Sequence, residues 1–216
     1  MKNKRESIKK MLRGSSWFFF MVALILCYII VGIHPGIAVA AKPAPPPPSG
    51  PTCERNISAD VVALDQAFFL NRLGAAMPQG MIYALKGDVV PISGSTLSQG
   101  NAQLRSDKRA RPIVLRMNVG DCLTINFQNL LAPAPVDNEQ PATRTAGIHV
   151  IGMQLVGSIA SDGSNVGNNA SSLVAPGGSA AYTLYAEREG AYLLYSTAAT
   201  TGGEGDGGSL AAGLYG

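Results

Sequence analysis

Histidine is almost missing from this 216-residue chain: it occurs as His34 and His149 and nowhere else. Cysteine is scarce too, at Cys27, Cys53 and Cys122. These shortages exclude several chemistries. A hydrolytic triad needs an imidazole beside its nucleophile, and Ser196 has no histidine near it in sequence, so nucleophilic hydrolysis is rejected. Cys53 and Cys122 stand 69 residues apart, which with one further histidine is no zinc-ligand spacing. A basic stripe with interleaved aromatics is also lacking outside the N-terminus, which excludes nucleic acid as a partner. No window beyond the N-terminal apolar run carries a helical stripe of 3.6-residue period, and no internal repeat is visible.

The charge balance needs correction before it is interpreted. The formal net charge is +3. Six basic residues and Glu6 among the first 13 positions supply +5 of it, which leaves −2 for the rest. That basic start runs into the apolar stretch Trp17–Ile33, then Pro35-Gly36, then Ala38-Val39-Ala40. A positive region, an apolar region and a small-residue cleavage site in that order describe a secretory signal ending at Ala40. The alternative is a retained membrane anchor, although 17 apolar residues fall short of the roughly 20 that span a bilayer. Export places the chain in the periplasm, at the cell surface or outside the cell, an oxidising setting. His34 and Cys27 belong to the signal, so the mature chain keeps one histidine and two cysteines. Those cysteines either close one long loop as a disulfide or are buried apart as thiols. Sequence cannot bring their Cα atoms within the required ~4.4–6.8 Å.

Three segments follow: the signal over 1–40, a proline-rich linker over 41–52, and one folded domain over 53–216. The linker, AKPAPPPPSGP at its centre, favours polyproline II because proline fixes φ and cannot feed a sheet ladder. The domain shows short strand-like runs separated by Gly, Pro and Asn. Ile57–Leu64 alternates weakly, and Met81–Val90 is apolar. Ser93–Arg111 is polar and expected to be an exposed loop. The clearest pattern is Arg111–Leu131. Ile113, Leu115 and Met117 alternate with polar or outward positions, Gly120-Asp121 marks a turn, and Leu123, Ile125 and Phe127 alternate again. That predicts two adjacent strands joined at the turn. Thr201–Gly216 is glycine-rich and expected to be a loop before the last segment. Many short strands with such turns predict an all-β sandwich.

Five pieces then occur in order: VGDCLTINFQN, GIHVIGMQ, SDGSN, APGGSAAYTLYAEREGAYLLYS and GLYG. Together they resemble the first cupredoxin-like domain of a multicopper oxidase, over about Arg111–Gly216 and more loosely from Cys53. The resemblance implies a Greek-key β-sandwich. It also implies two H-x-H pairs feeding a copper cluster shared with further cupredoxin domains. Histidines two apart on a strand share one side, so both can face one metal site. Here the first pair reads His149 and Ile151, and the second reads Tyr195 and Thr197. His149 is the one candidate copper ligand. A lone histidine between Ile148 and Val150 is also what a hydrogen-bonded core or interface residue looks like. Met117 and Met153 are expected as core filler rather than thioether ligands. Asp162-Gly163 is expected to be a turn, and Glu204 with Asp206 a weak site for a hard cation.

In the family, GLYG leads into one more strand. The expected fold therefore lacks its last strand, and the chain is expected to be a fragment of a longer protein or the product of a truncated reading frame. By resemblance it is the N-terminal domain or a fragment of an exported copper-dependent oxidoreductase, inactive alone. The alternatives are a non-enzymatic exported binding or structural module, or a weak copper-binding module. Contact with a membrane is expected only through an uncleaved signal.

Overall fold

The structure, a computed structural model, describes residues 50–164, 167–202 and 207–216. The signal segment lies outside them, as do Glu204 and Asp206. The described part is mostly strand with little helix, consistent with an all-β sandwich. Its main sheet is built from β1 (Asn56–Asp65), β4 (Met81–Leu85), β7 (Cys122–Asn129), β9 (Gln154–Leu155) and β10 (Ser179–Tyr185). The spatial order is β4-β1-β7-β10-β9. β1 and β7 run parallel, with Asn56 opposite Cys122 and Ala63 opposite Asn129. All the other neighbours in this sheet are antiparallel. A parallel pair needs a long crossover. Here it carries β2 (Phe68–Phe69), β3 (Ala76–Met77), β5 (Val89–Val90) and β6 (Gln103–Leu104).

The weak alternation of β1 has a physical cause: both of its faces are covered. Val61 and Ala63 enter the main core, with Met81 and Tyr83 from β4. Val62 and Leu64 enter a second cluster on the opposite face, with Ile82, Ala84, Val89 and Leu130. β7 alternates cleanly because one face alone is buried deeply. Leu123, Ile125 and Phe127 point into the main core, and Asn126 is exposed. Phe127 meets the edge of the Tyr83 ring at 6.0 Å and lies 6.1 Å from Tyr182.

The second layer is sparser. It contains β8 (His149–Val150) and β11 (Leu194–Tyr195), paired antiparallel. Tyr215 bridges to Tyr195, and Gly216 exchanges two hydrogen bonds with Leu194 at 2.8 and 2.9 Å. Just before this segment lies a short helix, α1 (Gly208–Ala212), where a loop was expected. Ala212 and Leu214 are buried in the main core, so apolar docking holds the segment that glycine content alone suggested would be loose.

The expected hairpin across Gly120-Asp121 does not form. Residues 113–117 keep the alternating burial of a strand, with Ile113, Leu115 and Met117 packed on the core, yet they pair with no strand among the described residues. β7 is already flanked by β1 and β10, so both its edges are taken. The preceding segment is displaced to the other layer.

Cys53 and Cys122 are joined as a disulfide with Cα atoms 5.3 Å apart. Around it, Arg55 grips Asp121 with two hydrogen bonds, Nε to Oδ1 at 2.9 Å and Nη2 to Oδ2 at 2.7 Å. The Arg55 hydrogen bond holds the Asp121 carboxyl below the usual carboxylate range against the opposing effect of burial. At the other end of β1, buried Arg144 pairs with Asp65 and donates to the Ala132 carbonyl at 3.1 Å. This fixes the 131–145 loop to the sheet.

Candidate functional site

His149 opens β8, and register places it directly opposite Tyr195 of β11. The two rings meet edge to face, with centroids 5.4 Å apart. On its other flank, His149 Nδ1 lies 2.8 Å from Asp162 Oδ1. A carboxylate accepts and does not donate, so Nδ1 carries the hydrogen, which in the neutral ring leaves the lone pair on Nε2. Asp162 follows a short 3-10 turn (Ile159–Ser161), and its second oxygen accepts from the Ser164 hydroxyl. The carboxylate is thus held from both sides and fixes the ring's tautomer. The His149 side chain keeps 27% of its exposure, so solvent still reaches the site.

The loop bearing Asp162 can approach β8 closely because two glycines meet there. A Cβ on Gly147 would sit 2.5 Å from the Gly163 carbonyl oxygen. Gly163 adopts φ +63°, and a Cβ on it would sit 2.2 Å from the Ile148 carbonyl oxygen. Asp162-Gly163 is therefore more than a bend. The aspartate orients the histidine, and the glycine permits the contact. Turn propensity explains the dipeptide equally well, which is why sequence reasoning missed the aspartate's second role.

The other positions of the two pairs are also placed. Thr197 donates its hydroxyl to the Gly163 carbonyl at 2.9 Å, so it ties the loop down. Ile151 is 50% exposed and offers no donor atom. Ser196 is fully buried, where its oxygen accepts from the Gly147 and Ala198 amides at 3.4 Å. Tyr83 donates to the Gly147 carbonyl at 2.5 Å, and burial pushes its phenol far above the normal range. Met117 and Met153 pack against the main core.

A copper cluster does not fit this donor set. Imidazole and thiolate are the usual copper ligands, and the site offers one imidazole nitrogen. Cys53 and Cys122 are both in the disulfide. Among the described residues no group of three or more His, Cys, Asp or Glu side chains is placed to hold a metal ion.

No protein-family model matches this chain, and no curated protein matches it. Solved structures do. A multicopper oxidase from Pseudomonas thermotolerans is similar at 19% identity and a TM-score of 0.41, over 65% of this chain and 25% of that one. A second multicopper oxidase gives 22% identity and a TM-score of 0.41, over 74% of this chain and 40% of the other. This chain therefore spans well under half the length of those proteins. At such identity and score the likeness carries no argument about chemistry, and the fold described above stands on its own strands.

Proposed function

We propose that this chain is the N-terminal cupredoxin-like domain of an exported multicopper oxidase-like protein, with a scaffold role in place of ligand supply. The supporting observation is the cross-strand meeting of His149 and Tyr195. These are the first positions of the two ligand pairs in the resemblance, and they lie side by side on paired strands. The placement suits two strands that once faced one metal site, while the side chains no longer suit the metal. In this reading the domain packs against further cupredoxin domains and shapes their surroundings. Copper chemistry then belongs to those domains, and the signal segment directs export.

A second reading is favoured by one detail. Metal-binding histidines commonly donate their other ring nitrogen to a carboxylate, which orients the ring and raises its basicity. His149 has that arrangement with Asp162. On this reading the chain is a weak copper-binding module using Nε2.

Copper loading of the purified chain, followed by desalting and metal analysis, separates the two. The scaffold reading expects essentially no retained copper and no copper-dependent oxidation of a phenol or Mn²⁺. About one equivalent of copper, lost in His149→Ala, would replace it with the binding-module reading. Turnover by the isolated chain would overturn both.

A further inference from the structure

We propose that the hollow between β4 and the basic segment 105–116 binds a compact organic polyanion, an apolar ring that carries two or three carboxylates. The sequence concentrates charge there. Arg105, Lys108, Arg109, Arg111 and Arg116 fall within twelve positions beside one acid, Asp107, for a net charge of +4. Residues 14–216 total −2, so the remainder of that stretch carries −6. Pro112 restricts Arg111 before it and favours an extended backbone there.

The segment leaves β6, where Leu104 stands opposite Val89 of β5. Asp88 then pins its first turn. The Arg105 amide donates to the Asp88 carbonyl at 3.0 Å, and the Lys108 amide donates to the Arg105 carbonyl at 2.9 Å. The Lys108 ammonium lies 2.8 Å from Asp88 Oδ1. Asp107 is held by Arg105, with Nε 3.1 Å from Oδ1. Both acids of this region are therefore engaged by cations of the segment itself. Arg109, Arg111 and Arg116 make no ion pair and no side-chain hydrogen bond among the described residues.

Those three arginines and Lys108 line a hollow of about 400 Å³, a size that small ligands commonly fill. The rest of its lining is largely apolar: Ile82 and Leu85 of β4, with Leu104, Pro112, Ile113 and Val114. Cations of one sign around an apolar surface focus the field and draw an anion in. The planar fork of arginine matches a carboxylate with two parallel hydrogen bonds. The lining also decides what carries the charge. It contains no serine, threonine, asparagine or glutamine to recognise sugar hydroxyls. Its one aromatic residue, Tyr83, is 1% exposed, so no ring is free to stack on a sugar or a base. A small inorganic anion would leave the apolar surface unused. A ring with separated carboxylates answers both parts of the lining. The inference stands apart from the scaffold and copper readings, because no lining residue belongs to β8, β11 or the Asp162 turn.

The test titrates trimesate, a benzene ring bearing three carboxylates, into the full chain by calorimetry at low salt. Saturable binding of one equivalent is expected. Citrate, with as many carboxylates on a polar frame, should bind at least fivefold more weakly, and inorganic phosphate more weakly still. Replacing Arg109 and Arg111 together with glutamine should weaken trimesate at least tenfold, and Arg116→Gln several-fold. Arg72→Gln removes the same charge at an exposed position outside the hollow and should change affinity less than twofold. Raising the salt to ~1 M, where the Debye length is ~3 Å, should weaken binding. All four arginines are exposed, so the variants should keep the parent's unfolding midpoint. No saturable binding, unchanged affinity in the hollow variants, or an equal loss in Arg72→Gln would overturn the proposal. So would citrate or phosphate binding as tightly as trimesate, since the apolar surface would then play no part.

Discussion

The two layers of this domain share one sequence pattern and have opposite fates. β7 and residues 113–117 both alternate inward apolar side chains with outward ones; β7 buries its apolar set in the main core, and Ile113, Leu115 and Met117 pack against that core partly buried. β7 has hydrogen-bonded strands on each side. The 113–117 segment has none among the described residues. Alternation follows from which face meets the core, a property of side chains. Pairing depends on which backbone edges are free, a property of topology. A period-2 run therefore predicts a buried face reliably and a strand partner poorly.

The contrast can be broken first where it is strongest. Phe127 of β7 is 1% exposed and touches two buried tyrosine rings. Phe127→Ala should cost about 3–5 kcal/mol in denaturant unfolding, since the cavity opens at the centre of the paired sheet. Replacing both Cys53 and Cys122 with serine should cost about 2–5 kcal/mol, because the link restrains a long loop in the unfolded chain. The loss should show as a lower midpoint and be matched by reducing the native chain. In the sparse layer, Leu115→Ala should cost under ~2 kcal/mol, since that side chain is only half-buried and its backbone has no ladder to lose. A larger loss than Phe127→Ala would mean the sparse layer carries the stability, contrary to the comparison.

Acid sharpens the same contrast at the disulfide end of the sheet. Asp121 titrates lower in the folded chain than in the unfolded one, chiefly because of Arg55. Its contribution is present above the ordinary carboxylate value of ~3.9 and fades as pH falls from there through the lowered folded value. Arg55→Gln should therefore separate from the parent at neutral pH and converge with it in acid. A constant gap from pH 7 to pH 2 would show that the pair is not the source. The smallest effect is expected at the histidine. His149→Ala removes a part-exposed ring with one carboxylate partner, and should change stability by no more than about 1 kcal/mol.

The candidate site was legible in part. His149 stood out because the sequence has one other histidine, His34, and Tyr195 was matched to His149 through the order of motifs. Their contact across β8 and β11 was not legible, because two-residue strands carry too little pattern to announce a register. Asp162 was hidden behind the turn preference of Asp-Gly. Arg55–Asp121 and Arg144–Asp65 join residues 66 and 79 positions apart, and no local rule reaches that far.

Residue order was enough for the all-β class, for the apolar face of β7, and for the poverty of metal ligands. Those features depend on composition and on periodicity over a few neighbours, where side-chain chemistry acts locally. The tertiary structure alone decided that β1 and β7 run parallel and share a disulfide at one end. It also decided that residues 113–117 lose their expected partner and that an aspartate thirteen positions away holds His149. Each of these depends on which distant backbone edge or side chain is brought close when the sheet packs into the core. Local propensity does not encode that choice.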